Sequence, residues 1–171
     1  DTMALAISEL ANISERRIEQ MLNPALSPGL SPFLAKRPGL DSGYMIVQLT
    51  AAALVSENKV LSHPACVDSI PTSANQEDHV SMGSVSAIKL LQVMENVSNV
   101  IAIELLICAQ ALEGRTFHSS EALEAAKEAL RKEVPALEED RIMYPDVEKS
   151  MALIKSSAIL KAVQACGIKI H

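Results

Sequence analysis

Between residues 63 and 79 the sequence gathers its most reactive side chains: His63, Cys66, Asp68, Asn75, Gln76, Glu77, Asp78 and His79. Three kinds of chemistry are open to them. Imidazole, thiolate and carboxylate all bind metals, but His63, Cys66, Asp68 and His79 follow no established ligand spacing. A polar connector is the second reading, with Asp78 set to cap the helix that follows, near the positive end of its dipole. In the third, the segment lines a site and Glu77 faces a pocket, where a carboxylate serves as a base or accepts a hydrogen bond from a cationic ligand. Cys66 and Cys108 are potential nucleophiles, yet no Ser/His/Asp or Cys/His pattern accompanies either. Cys108 sits in an apolar run and suits core packing.

Helices must carry this segment. Met3, Leu5, Ile7, Leu10, Ile13, Ile18 and Met21 recur every three to four residues and predict an amphipathic helix over 2–22, with a bend or new cap near Asn12 to Glu15. Pro24, Pro28, Pro32 and Pro38, with Gly29, Gly39 and Gly43, make 23–43 a long loop. A helix follows over 44–60, whose Ala51-Ala52-Ala53 centre lets a neighbouring helix approach closely. His63-Pro64 and Pro71 mark 62–79 as a second loop. Residues 80–113 hold no proline and predict one helix of roughly 50 Å at 1.5 Å per residue. Its second half is apolar nearly all round and must be buried on every side. The chain looks short of material to cover it, so the expected cover is an upstream domain, an oligomer, or both. Ser119-Ser120 caps a helix ending near Val134-Pro135, and a last helix runs from Asp146 to about Ala165.

The bulk composition agrees. Hydrophobic residues make up 49% of the 171 positions and aromatics only 2%, so the core is aliphatic and the fold class all-α, a bundle of long helices forming one unit over 1–171. The net charge is −6 with no basic stripe, which excludes a nucleic-acid binder of the ordinary kind. Three widely spaced cysteines fit a reducing setting, and the expected location is the cytoplasm. No apolar run is read as long enough to span a membrane; the longest covers 100–112. The chain opens at Asp1 inside an amphipathic pattern, which points to further sequence upstream.

A family resemblance joins these pieces. Ser14-Glu15-Arg16-Arg17-Ile18, Gly39-Leu40-Asp41-Ser42-Gly43-Tyr44-Met45-Ile46, Thr50-Ala51-Ala52-Ala53-Leu54 and Ser56-Glu57-Asn58-Lys59 look like consecutive blocks of the aromatic amino acid ammonia-lyases. The strongest block starts at His63-Pro64-Ala65 and continues through Val67-Asp68-Ser69-Ile70-Pro71-Thr72-Ser73-Ala74-Asn75-Gln76-Glu77-Asp78-His79-Val80-Ser81-Met82. It is similar to the branch that acts on histidine. The resemblance covers essentially the whole chain and is strongest over 14–113.

The resemblance implies a fumarase/aspartase-like helical fold of about three times this length, assembled as a homotetramer with active sites shared between subunits. It implies a methylidene-imidazolone electrophile made from an internal Ala-Ser-Gly, without external cofactor. With it, ammonia is eliminated from L-histidine to give trans-urocanate. That tripeptide lies upstream in the family and is absent from 1–171, so the chain alone is expected to be inactive. Asp41-Ser42-Gly43 resembles it only superficially and reads better as a turn capping the next helix. Carried over position by position, Glu77 matches the active-site glutamate near the substrate imidazole, and Gln76 its pocket-lining neighbour. Relatives acting on phenylalanine carry lysine and glutamate where Met45 and Ser73 stand, and glutamine in place of Glu77. The combination here suits a polar, basic ring, with Met45 as a pocket wall; ordinary core packing of Met45 is the alternative reading.

Overall fold

The computed structural model describes residues 1–168. Six helices follow in chain order: α1 Thr2–Leu22, α2 Met45–Leu61, α3 Gly83–Glu113, α4 Glu121–Arg131, α5 Tyr144–Lys155 and α6 Ala158–Ala165. Two single 3-10 turns lie in the loops, at Pro32–Leu34 and Ser73–Asn75. Among the described residues there is no strand, only isolated bridges joining Pro38 to Asp41 and Thr72 to Glu77.

The long helix α3 is the axis on which the rest packs. α1, α2 and α5 lie against it, while α6 packs mainly on α4. Val93, Val97, Val100, Ile103, Leu106 and Ile107 of α3 are buried and meet Ile18 and Leu22 of α1, Val47, Ala51 and Val55 of α2, and Leu130, Val134 and Leu137 beyond α3 in one apolar core. Every residue from 100 to 112 is buried or half-buried, so this chain covers much of that half, with Ile101 and Leu105 only partly enclosed. The uncovered stretch is the first half, where Val85, Ile88, Leu91 and Met94 are exposed at a spacing of three. By length and composition α3 is apolar enough to cross a membrane, contrary to the sequence expectation. Serine, asparagine and glutamine interrupt it without adding charge, and here it is the central helix of the core.

The buried face of α1 also differs from expectation. Ala4, Ser8, Ala11, Ser14, Ile18 and Leu22 face inward, while Met3, Leu5, Leu10 and Ile13 are exposed. Small side chains let the backbone of α1 come close to its neighbours, and the large ones are left exposed. No bend or second cap forms near Asn12. Instead the Ser14 hydroxyl donates to Glu104 Oε2 on α3 at 2.5 Å, and Arg17 Nη2 donates to the same oxygen at 2.8 Å. At the far end, the Ser120 hydroxyl caps α4 by accepting from Leu123 N. The expected last helix is two helices, broken where Ser157 adopts φ +57°. Pro145 lies in the first turn of α5, where its missing N–H costs no helical bond.

Ile103→Ala removes a fully buried side chain at the centre of this packing. A loss of about 2–5 kcal/mol is expected in equilibrium denaturation.

Candidate functional site

The loop between α2 and α3 is held at its shoulders and free at its tip. The Asp1 carboxylate accepts from Cys66 N at 3.0 Å and from the Ser86 hydroxyl at 2.9 Å, and pairs with Lys89 at 3.7 Å. Lys89 also donates to His63 O. Ser69 Oγ accepts from Val80 N at 2.9 Å. One carboxylate at the head of α1 therefore ties the loop to the first turn of α3. Beyond these anchors, every residue from 70 to 79 is exposed.

The tip is a closed turn. Thr72 N donates to Glu77 O at 3.0 Å, Glu77 N to Thr72 O at 3.3 Å, and Gln76 N to Ser73 O at 3.2 Å. Ser73, Ala74 and Asn75 all have left-handed backbones, with φ of 53°, 57° and 68°. None is glycine, so each carries a steric cost of about 1–2 kcal/mol. Thr72 Oγ1 donates to Glu77 Oε2 at 2.7 Å. Ser73, Gln76 and Glu77 thus share one turn, as the sequence suggests. Met45 is the half-buried first residue of α2, at the opposite end of that helix from the loop.

Other expectations need correction or refinement. Asp78 does not cap α3, which starts at Gly83 with no side-chain cap at Met82; Ser81 Oγ accepts from Gly83 N at 3.3 Å instead. Ser42 does not cap α2 through its side chain either. The Ser42 and Gly43 amides donate to Asp140 Oδ2 and Oδ1 at 2.7 and 2.9 Å. A Cβ on Gly43 would sit 2.4 Å from Phe33 O. Asp41-Ser42-Gly43 is thus a tightly packed turn whose amides are held by Asp140. Among the described residues, no three His, Cys, Asp or Glu side chains converge as metal ligands.

Two features were not foreseen. A cavity of about 570 Å³ lies between α2 and α5, with Ile46, Val47, Met143 and Val147 in its wall and Asp140 at its side. Tyr44 is fully buried with its hydroxyl unpartnered among the described residues, and burial pushes it up to about 12. The only available sequence signal was charge: Glu138-Glu139-Asp140 is an acidic run matching Lys36-Arg37, and Lys36 does pair with Glu138 at 3.2 Å.

This all-helical architecture is that of the helical ammonia-lyases and aminomutases. A histidine ammonia-lyase from Trypanosoma cruzi superposes with a TM-score of 0.90 at 50% identity, over 95% of this chain and 32% of that one. A tyrosine aminomutase from Streptomyces globisporus gives 0.91 at 37% identity, over 98% and 32%. The chain belongs to the aromatic amino acid lyase family, whose model matches residues 1–132. Among curated relatives, histidine ammonia-lyase from Sorangium cellulosum is 57% identical over 96% of this chain and 32% of its own length, and that from Deinococcus radiodurans 54% identical over 96% and 31%. The chain spans about a third of the length of these relatives.

Burial pushes the Cys108 thiol up to about 11, and its Sγ lies 3.8 Å from Met21 Sδ, whereas Cys66 and Cys166 are exposed. Iodoacetamide at pH 8 is therefore expected to alkylate Cys66 and Cys166 and spare Cys108 in folded chain, read by peptide mass mapping.

Proposed function

We propose that this chain is the C-terminal portion of a histidine ammonia-lyase, the enzyme that eliminates ammonia from L-histidine to give trans-urocanate at the first step of histidine degradation. The observation that carries this reading is the match to relatives named histidine ammonia-lyase at 52–57% identity across nearly the whole chain. The aminomutase matches are weaker in identity, although the fold itself does not separate the two activities.

Glu77 is the substrate-ring partner in this proposal. Its exposed carboxylate accepts the imidazole N–H and takes part in proton transfer. Gln76 lines the same wall. Met45 and Ser73 leave their positions uncharged, which spares a protonated imidazole the repulsion of a lysine. In this proposal the electrophile, a methylidene-imidazolone ring from an Ala-Ser-Gly outside this chain, would activate the amino group for departure. The rest of the site comes from the upstream part of the same protein and from other subunits of a cytoplasmic homotetramer. The exposed tip at 70–79, the outward Met3, Leu10 and Ile13 of α1, and Ile88 and Leu91 of α3 support such cover.

In the full-length protein, absorbance of urocanate is expected to grow with histidine, with no cinnamate formed from phenylalanine; the reverse would place the chain in another branch of the family. Glu77→Gln should cut turnover about 10²-fold with folding little changed, because an exposed loop acid carries little stability. Wild-type turnover in that variant would remove Glu77 from the mechanism. Residues 1–171 purified alone are expected to show no lyase activity, and turnover by them would refute the assignment of the electrophile to the upstream region.

A further inference from the structure

We infer that Thr72 is a positioning residue for the Glu77 carboxylate: its hydroxyl holds Oε2 and leaves Oε1 as the oxygen that meets the ligand. The inference rests on the reading of Glu77 as partner of the substrate ring. A glutamate on an exposed loop samples staggered wells about its torsions and presents its oxygens in many directions. Three hydrogen bonds remove that freedom here. Two backbone bonds, at 3.0 and 3.3 Å, set residues 72 and 77 opposite each other. The third, from Thr72 Oγ1 to Glu77 Oε2 at 2.7 Å, fixes the carboxylate itself.

The pairing is built into the turn. With Ser73, Ala74 and Asn75 left-handed, the chain reverses in four residues and closes on the bridge between Thr72 and Glu77. Among the described residues no donor reaches Oε1. An imidazole N–H requires one acceptor lone pair near the carboxylate plane, and with Oε2 engaged by Thr72 the lone pairs of Oε1 remain free to offer it. Threonine supplies the donor on a β-branched side chain whose single torsion is restricted. Its hydroxyl can donate to the carboxylate without adding charge beside a cationic ligand.

The test is a double-mutant cycle in the full-length assembled protein with histidine as substrate, comparing wild type, Thr72→Val, Glu77→Ala and the double variant, with Thr72→Ser as the conservative rescue. Thr72→Val keeps the shape and removes the donor. It is expected to lower kcat/KM about tenfold, the scale of a hydrogen bond to a charged group. In the Glu77→Ala background the same change is expected to cost nothing further, and Thr72→Ser is expected to recover most of the loss. Equal losses in both backgrounds would show that Thr72 serves only the turn and would overturn the inference. So would an unimpaired Thr72→Val beside an impaired Glu77→Ala. Wild-type kcat/KM in Glu77→Ala itself would instead strike down the reading of Glu77, and the inference with it. Should Thr72→Val fail to assemble, Thr72→Ala closes the same cycle.

Discussion

An apolar helix must be enclosed, and that requirement on α3 organises everything else. From Val93 to Gln110 its inward positions lose their water entirely or nearly so. Each such aliphatic side chain contributes on the order of 1.5–3 kcal/mol when fully buried. No single neighbour can cover a cylinder on all sides, so α1, α2 and α5 have to approach from different directions. The small face of α1 is one consequence, since Ala4, Ser8 and Ala11 allow a close approach. Two serines complete the fit by bonding rather than by bulk: Ser14 reaches Glu104, and the buried Ser150 of α5 donates to Ala102 O at 2.9 Å.

The proposed site follows from the same constraint. α2 and α3 must both lie along the core, so the chain between them has to cross from one to the other outside it. That crossing is tethered by the Asp1 carboxylate and by Ser69, and its polar tip is left with nothing to pack on. The rigid bundle supplies the shoulders, and the left-handed turn supplies the tip. Met45 begins a helix whose start is fixed by a different carboxylate, that of Asp140.

The first four helices, the two loops and the Ser120 cap were legible because apolar period, proline and capping residues act locally. The inward face of α1 was not. Periodicity identifies where the large apolar residues lie, yet here those residues point away from this chain and alanine and serine point in. Which stripe is buried depends on what is present to bury it. The break at Ser157 was hidden for a related reason: serine is no strong helix breaker, and a single left-handed residue depends on where α6 must go to meet α4. In the loop, the resemblance picked out Glu77, but its bond to Thr72 depends on three consecutive left-handed residues that no local preference of serine, alanine or asparagine would announce.

The Asp140 clasp joins positions 98 residues apart. Closing a flexible loop of that length costs about 4 kcal/mol of chain entropy, and two amide bonds to one solvent-facing carboxylate return only a comparable amount, about 3–6 kcal/mol. The clasp therefore does little more than offset its own closure. Burial of Tyr44, Leu130, Val134 and Leu137 in the shared core helps to bring residues 42 and 140 near each other. The carboxylate then acts as a latch on the assembled bundle, holding the start of α2 against the segment before α5.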